Sequence, residues 1–164
     1  MKTLIYILMV FPFIGFCQFH ITGGVVDVSE RRDGNTMAWE VGYTQIFESQ
    51  MGITGNFRST TMNLDNYYTV ELLLKNRIEQ KGYRLDLGVG GGYNFDDYDI
   101  HPVATIENQF RLDEGVWLMV ALDGAYRDSK DILKEGYRFE TYLMVGLVLD
   151  VKWQRKLRKM KRFF

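Results

Sequence analysis

The chain has 164 residues, enough for one domain, and a formal net charge of −1 at pH 7. Its single cysteine, Cys17, excludes an intramolecular disulfide. The near-zero charge hides an asymmetry: 13 basic and 21 acidic residues lie between Gln18 and Trp153, whereas the last ten residues contain six basic residues and no acid. The acidic body and the basic tail are therefore expected to meet different partners.

The N-terminus predicts an export signal over residues 1–17. Lys2 supplies a positive start, and Thr3–Phe16 is a nearly unbroken apolar stretch that is too short to span a membrane comfortably. Small residues stand three and one positions before Gln18, which predicts cleavage after Cys17 and a mature chain of 147 residues. Lipid modification of Cys17 is the alternative, and the bulky Phe16 before it argues against that alternative.

After Gln18 the hydrophobic pattern has a period of two residues almost to the end of the chain, which predicts β-strands. The clearest strand alternates Leu85, Leu87 and Val89 with Arg84 and Asp86. Eight segments fit the pattern: Phe19–Ser29, Thr36–Phe47, Gly52–Ser59, Tyr67–Glu79, Tyr83–Phe95, His101–Arg111, Val116–Arg127 and Tyr137–Trp153.

The connections between these segments are predicted to alternate in length. Those after the second, fourth and sixth segments are short, and those after the third and seventh are longer. Eight segments in 147 residues leave little room for loops, because a membrane-spanning strand needs about 9–11 residues. Short turns on one side and longer loops on the other are typical of a transmembrane barrel.

Three features predict that the polar face of this barrel points inward. Glycines gather on the polar face, where a narrow lumen needs small residues: Gly24, Gly42, Gly88, Gly90, Gly92 and Gly146. Aromatic residues such as Tyr83, Tyr93 and Phe95 stand near the ends of the apolar faces, as in the girdles at lipid–water interfaces. Charges of both signs occupy the polar face and predict a paired network in the lumen: Glu40, Arg58, Glu71, Lys75, Arg84, Asp86, Glu107, Arg138 and Glu140.

The last strand, with Gly146 followed by apolar Leu149 and Val151, resembles the C-terminal signal of outer-membrane proteins. The chain as a whole resembles the small eight-stranded outer-membrane barrels of the OmpA-barrel and OmpX kind, and its signal peptide is similar to those of Bacteroidota. The resemblance implies an all-β, antiparallel, up-and-down transmembrane barrel over residues 18–153, in the outer membrane of a Gram-negative cell. It transfers no functional residue.

No motif predicts catalysis, a cofactor or a metal site. The glycine run Gly88–Gly92 lies inside a strand with no helix after it, so it does not predict a phosphate loop. His20 and His101 begin strands on opposite sides of the membrane, which argues against a shared metal site. A lipid hydrolase using Ser129 and His101 at the outer rim is an open alternative without support from spacing.

An eight-stranded barrel is only just wide enough for its own side chains, so the large polar residues predict a plugged, non-conducting lumen. The leading hypothesis is a non-enzymatic structural or interaction protein. The alternatives are a small transport or binding barrel, the rim-sited hydrolase, and a soluble periplasmic barrel like a lipocalin, which would turn its apolar face inward.

The basic tail over residues 154–164 forms the third part of the chain. Trp153, Leu157, Met160 and Phe164 recur at helical spacing and predict an interfacial helix on the periplasmic leaflet. Its basic residues would meet anionic lipids: Arg155, Lys156, Arg158, Lys159, Lys161 and Arg162. A disordered, solvated tail is the alternative. The expected partners are outer-membrane lipids and another envelope protein, but not nucleic acid; the oligomeric state stays open.

Overall fold

The computed structural model describes residues 16–28, 36–47, 49–62, 65–96, 98–127 and 138–151. These residues form eight strands: β1 (Phe16–Val28), β2 (Met37–Ile46), β3 (Met51–Met62), β4 (Asp65–Gln80), β5 (Tyr83–Asn94), β6 (Asp99–Asp113), β7 (Val116–Arg127) and β8 (Arg138–Val151). Each strand pairs with the next in antiparallel fashion, and β1 pairs with β8, so the sheet is a closed barrel. No helix within the described residues is long and apolar enough to cross a bilayer.

The predicted all-β, eight-stranded antiparallel barrel is confirmed, and one predicted connection is wrong. The third strand does not end at Ser59 but continues to Met62, so that only residues 63 and 64 separate it from β4. Thr60 and Thr61 extend the ladder by pairing with Tyr67 and Asn66. Threonine is β-branched and fits a pleated strand well, which explains why the long connection expected after the third strand does not exist.

Tight turns join β2 to β3, β4 to β5 and β6 to β7 at one end of the barrel, which we call the short-turn rim. Two of these turns have only two residues, and Gly82 and Gly115 adopt φ of 80° in them. This left-handed conformation is strained for residues with a Cβ, so glycine is the suitable residue there. At the opposite end, the long-loop rim, residues 29–36, 63–64, 95–98 and 128–137 connect the strands.

The barrel is apolar outside and polar inside. On β5 the outward side chains of Leu87 and Val89 are 45% and 64% exposed, whereas the inward Arg84 and Asp86 are buried. This is the opposite of a soluble barrel such as a lipocalin, whose apolar face would point inward. The aromatic residues Tyr83 and Tyr93 bound the outward face of β5. Ten residues at about 3.3 Å each, tilted by about 40°, give a height of roughly 25 Å, which matches the apolar band of transmembrane barrels.

The glycines on the inward face serve two different purposes. Gly42 and Gly92 leave room for other inward side chains, because an added Cβ would lie 2.2 Å from the ring of His20 and 2.4 Å from that of His101. Gly24, Gly90 and Gly146 instead allow close approach of neighbouring backbones. A Cβ on any of these three would lie 1.9–2.0 Å from a carbonyl oxygen of an adjacent strand. The expected role of glycine as packing space therefore explains only part of the pattern.

This distinction leads to a prediction for Gly90. The substitution Gly90→Ala would place a Cβ 2.0 Å from the Leu72 carbonyl oxygen and should lower the free energy of unfolding by about 2–3 kcal/mol, since backbone strands cannot yield as a side chain can. The neighbouring Gly91→Ala is a matched control, because its Cβ would come no closer than 3.6 Å to any atom. Urea unfolding in lipid vesicles measures the free energy of unfolding of both variants. Equal values for Gly90→Ala and Gly91→Ala would contradict this role of Gly90.

The N-terminal end of β1 includes the two residues before the predicted mature start. Phe16 and Cys17 pair with Ile46 and Gln45 of β2. The Cys17 thiol donates a hydrogen bond to Gln45 Oε1 at 2.9 Å, and the Tyr43 hydroxyl donates to Cys17 Sγ at 2.9 Å. Cleavage after Cys17 would remove these contacts, and it stays a prediction. The rest of the predicted signal, residues 1–15, lies outside the described residues.

Candidate functional site

The candidate site is the charged interior of the barrel. Eight of the nine residues predicted to form a lumen network are buried within it, on six different strands: Glu40, Arg58, Glu71, Lys75, Arg84, Asp86, Glu107 and Glu140. The ninth, Arg138, begins β8, and its side chain lies outside the described part of the structure. The contacts of the eight divide the interior into three layers between the long-loop rim and the short-turn rim.

The first layer is organised by Arg58 of β3, which is 1% exposed. Its Nη2 and Nε donate to Glu40 Oε2 at 2.6 and 2.9 Å, and its Nη1 lies 3.0 Å from Glu71 Oε1. Nη2 also donates to Asp123 of β7. The guanidinium lies 4.2 Å from the centre of the Tyr142 ring of β8. One side chain therefore joins five strands across the lumen.

Further side chains contact two of these carboxylates. His20 Nε2 lies 3.0 Å from Glu40 Oε1, and the Thr105 hydroxyl donates to Asp123 Oδ1 at 2.5 Å. Buried charges cost free energy unless each oxygen finds a partner, and these contacts supply partners to the oxygens of Glu40 and Asp123 that Arg58 does not reach. The Tyr142 hydroxyl donates to Glu140 Oε2 at 2.5 Å and thereby brings a further carboxylate into the layer.

The second layer contains two ion pairs joined by an amide. Lys75 Nζ binds Glu107, and Arg77 donates to both oxygens of Asp86, at 2.7 and 2.5 Å. The side-chain amide of Gln109 donates to Asp86 Oδ2 at 3.1 Å and lies 3.5 Å from Glu107 Oε2. A bidentate arginine–carboxylate pair fixes the orientation of both side chains, so this layer is rigid. Its two cations also balance the charge of its two carboxylates.

The third layer closes the lumen near the short-turn rim. Arg84 donates to both oxygens of Asp150 at 2.9 and 3.0 Å, and its guanidinium lies 3.6 Å from the centre of the Trp117 ring. The Trp117 Nε1 donates to Asp150 at 3.1 Å. Gln18 donates to Asp150 Oδ1 at 2.5 Å and accepts a hydrogen bond from Arg77 at 2.5 Å, so it joins the third layer to the second.

Three charged members of these layers were not in the predicted network. Arg77, Asp123 and Asp150 all stand at inward positions of their strands, and the two-residue period could have identified them. Arg77 shares its face with the predicted Glu71 and Lys75. Among the described residues, six buried carboxylates face four buried cations, so the interior carries more acid than base.

The two histidines, the remaining candidate residues that the structure describes, lie apart from each other. His101 is buried in β6, where its Nδ1 lies 3.6 Å from Asp99 Oδ2. His20 lies near the short-turn end of β1, and His101 near the long-loop end of β6. Ser129 and the tail residues from Trp153 to Phe164 lie outside the described residues, so the structure does not position them.

Comparisons with known proteins agree with this architecture. No protein-family model matches the sequence, and no curated protein is significantly similar to it. Several solved structures share the fold. Neisserial surface protein A matches with a TM-score of 0.62 at 9% identity, over 82% of this chain and 95% of that one.

The N-terminal β-barrel domain of OprF from Pseudomonas aeruginosa matches with a TM-score of 0.60 at 8% identity, over 84% of this chain and 98% of that one. Ail, the attachment invasion locus protein of Yersinia pestis, matches with a TM-score of 0.54 at 16% identity, over 83% and 99% of the two chains. These identities establish likeness of fold alone. The chain thus has the eight-stranded closed fold of the small outer-membrane β-barrels.

Proposed function

We propose that this protein is a structural or interaction protein of the Gram-negative outer membrane whose lumen does not conduct. The observation that carries the proposal is the continuity of the three charged layers across the interior. The first is held by Arg58, the second by Arg77 with Asp86, and the third by Arg84 with Asp150. An eight-stranded barrel leaves no free width once side chains of this size occupy it.

The placement in the membrane is supported by the outer surface. Large apolar side chains are exposed on every strand, including Ile21, Leu72, Val89 and Leu122. A surface of this extent is unfavourable in water but favourable in lipid, where backbone groups must be satisfied internally, as a closed barrel allows. The export signal predicted over residues 1–17 agrees with this placement.

The non-conducting lumen is tested by planar-bilayer recordings on the refolded protein, with a general porin as the positive control. We expect no discrete conductance steps at neutral pH and moderate salt, because no ion can pass the paired layers without breaking them. Regular, reproducible steps from protein that shows heat-modifiable gel migration would favour a small transport barrel instead.

The contacting parts in this proposal are the loops of the long-loop rim and the basic tail, residues 154–164. The tail leaves the barrel after β8, which ends at the short-turn rim beside the start of β1. Short turns lie on the periplasmic side in bacterial barrels. The tail would therefore face the periplasm, where its six basic residues can bind anionic lipids or an acidic envelope protein.

Deletion of Gln154–Phe164 tests the role of the tail. We expect the shortened barrel to fold normally. It should lose most of the extra affinity that the full-length protein has for vesicles with anionic lipid over neutral vesicles, as measured by co-flotation of the detergent-diluted protein. A variant that reverses Lys159 and Lys161 to glutamate should behave like the deletion. Unchanged vesicle binding and unchanged complex formation would show that the tail has no such role.

A further inference from the structure

Two hollows meet at the short-turn rim, on either side of the turn between β4 and β5. One, of about 500 Å³, is the mouth of the lumen; the third charged layer forms its floor, with Arg84, Trp117 and Asp150 among its lining residues. The other is a shallow surface depression beyond the end of β6, against Leu112, Asp113 and Glu114. Both are lined by Lys81, Gly82 and Arg111.

Lys81 and Arg111 differ from the other cations of the described structure in their partners. Lys75, Arg77, Arg84 and Arg58 each bind at least one carboxylate. Within the described residues Lys81 and Arg111 form no ion pair; the Nε of Arg111 instead donates to the carbonyl oxygen of Asp113 at 3.3 Å. The carboxylate of Asp113 accepts a hydrogen bond from the backbone N–H of Glu114 at 2.7 Å. Two exposed cations are thus left available.

The backbone places the two residues that carry these cations at neighbouring positions of the short-turn rim. The N–H of Arg111 donates to the carbonyl oxygen of Gly82 at 3.0 Å, which ties the end of β6 to the turn that carries Lys81. On the outer surface next to them, Tyr83 and Phe110 pack with their ring centres 5.5 Å apart. Aromatic pairs of this kind stand at the lipid–water interface in membrane proteins, so Lys81 and Arg111 lie at the depth of lipid headgroups.

We propose that Lys81 and Arg111 form a binding site for a phosphate group. An arginine and a lysine without carboxylate partners suit the multiple charge and the several acceptor oxygens of phosphate. The phosphate can reach them from two sources: from a phospholipid headgroup on the outer flank, or from a soluble phosphate compound through the mouth of the lumen. The chain's own tail is disfavoured as occupant, because its six basic residues would be repelled by the same two cations.

The experiment compares the double variant Lys81→Ala/Arg111→Ala with the wild type in two binding assays. Native mass spectrometry from a phosphate-free detergent measures binding of phosphatidylglycerol against diacylglycerol with the same acyl chains. Isothermal titration calorimetry measures binding of inorganic phosphate. The double variant Lys130→Ala/Lys134→Ala is the matched control, because it removes the same charge from the connection between β7 and β8 at the opposite rim.

We expect the Lys81→Ala/Arg111→Ala variant to bind at least ten-fold more weakly than the wild type in one of the two assays, and that assay identifies the source of the phosphate. The control and the swapped variant Lys81→Arg/Arg111→Lys should bind like the wild type. The proposed site is overturned if the Lys81/Arg111 variant binds like the wild type in both assays, or if the control loses as much affinity. It is also overturned if the wild type binds diacylglycerol as well as phosphatidylglycerol and does not bind inorganic phosphate in solution. Heat-modifiable migration verifies folding of every variant. None of these outcomes depends on whether the lumen conducts.

Discussion

Replacing Arg58 by alanine is expected to lower the free energy of unfolding by about 3–5 kcal/mol, the largest effect of any substitution considered for the interior. Arg58 is the cation that neutralises Glu40, Glu71 and Asp123, and its removal leaves these three carboxylates close together in a buried space. The loss also removes the contact between the guanidinium and the Tyr142 ring. Urea unfolding of the barrel in vesicles measures the change.

Two further variants separate the charge imbalance from the loss of side-chain volume. Arg58→Met keeps most of the volume, and adding Glu40→Gln and Glu71→Gln to it removes two of the charges left without a partner. We expect this triple variant to recover more than half of the lost stability, because matched neutral groups cost less than unpaired charges. The exposed Ser49→Ala, in the turn between β2 and β3, serves as the surface control. An Arg58→Ala barrel as stable as this control would disprove the role of Arg58 as the organising residue.

Placing an arginine on the outer face distinguishes a membrane barrel from a soluble one. Val89 is 64% exposed near the middle of the apolar face of β5. Val89→Arg should therefore lower the free energy of unfolding in a lipid bilayer by about 2–4 kcal/mol, because the charge would lie near the bilayer midplane. In a soluble barrel the same exposed position would tolerate arginine with a change of about 0.5 kcal/mol or less. Urea unfolding in vesicles of defined bilayer thickness measures this change in the free energy of unfolding.

The depth dependence of this effect provides the control. Tyr98 is 81% exposed in the connection between β5 and β6 at the long-loop rim, outside the band bounded by Tyr83 and Tyr93. Tyr98→Arg should cost about 1 kcal/mol or less, since charged residues near the interface keep contact with water. Equal costs at Val89 and Tyr98 would contradict the proposed position of the membrane.

The strands could be predicted because their pattern is local. Each residue of β5 shows by its position alone whether it faces inward or outward, so Arg84, Asp86 and the glycines could be assigned to one face without knowledge of the fold. The inward direction of the polar face could be predicted from the glycines and the charges of both signs that this face carries. The end of β3 was missed because threonines suit both a strand and a polar loop, and the turn residues Asn63, Asp65 and Asn66 that follow them are equally compatible with a longer connection.

The pairing of the interior charges could not be predicted in the same way. Arg58 meets Asp123 across the lumen, from β3 to β7, and these strands are not neighbours in the sheet. Such a contact depends on the curvature and stagger of the whole barrel, which no short sequence pattern specifies. Arg84 and Asp150 likewise join β5 to β8. The sequence therefore indicates which charges are inside but not which of them are partners.

The ladder between β1 and β8 has a consequence for how the protein is made. It joins Cys17 to Val151 and continues through twelve pairs to Val28 and Glu140, so the first and last strands form the seam of the barrel. Loop-closure entropy makes contacts between such distant residues the slowest to form. Until β8 has been delivered, β1 keeps an unpaired edge, and unpaired edges invite aggregation. If the chain is exported as proposed, we therefore expect its folding to require a periplasmic chaperone until the last strand arrives.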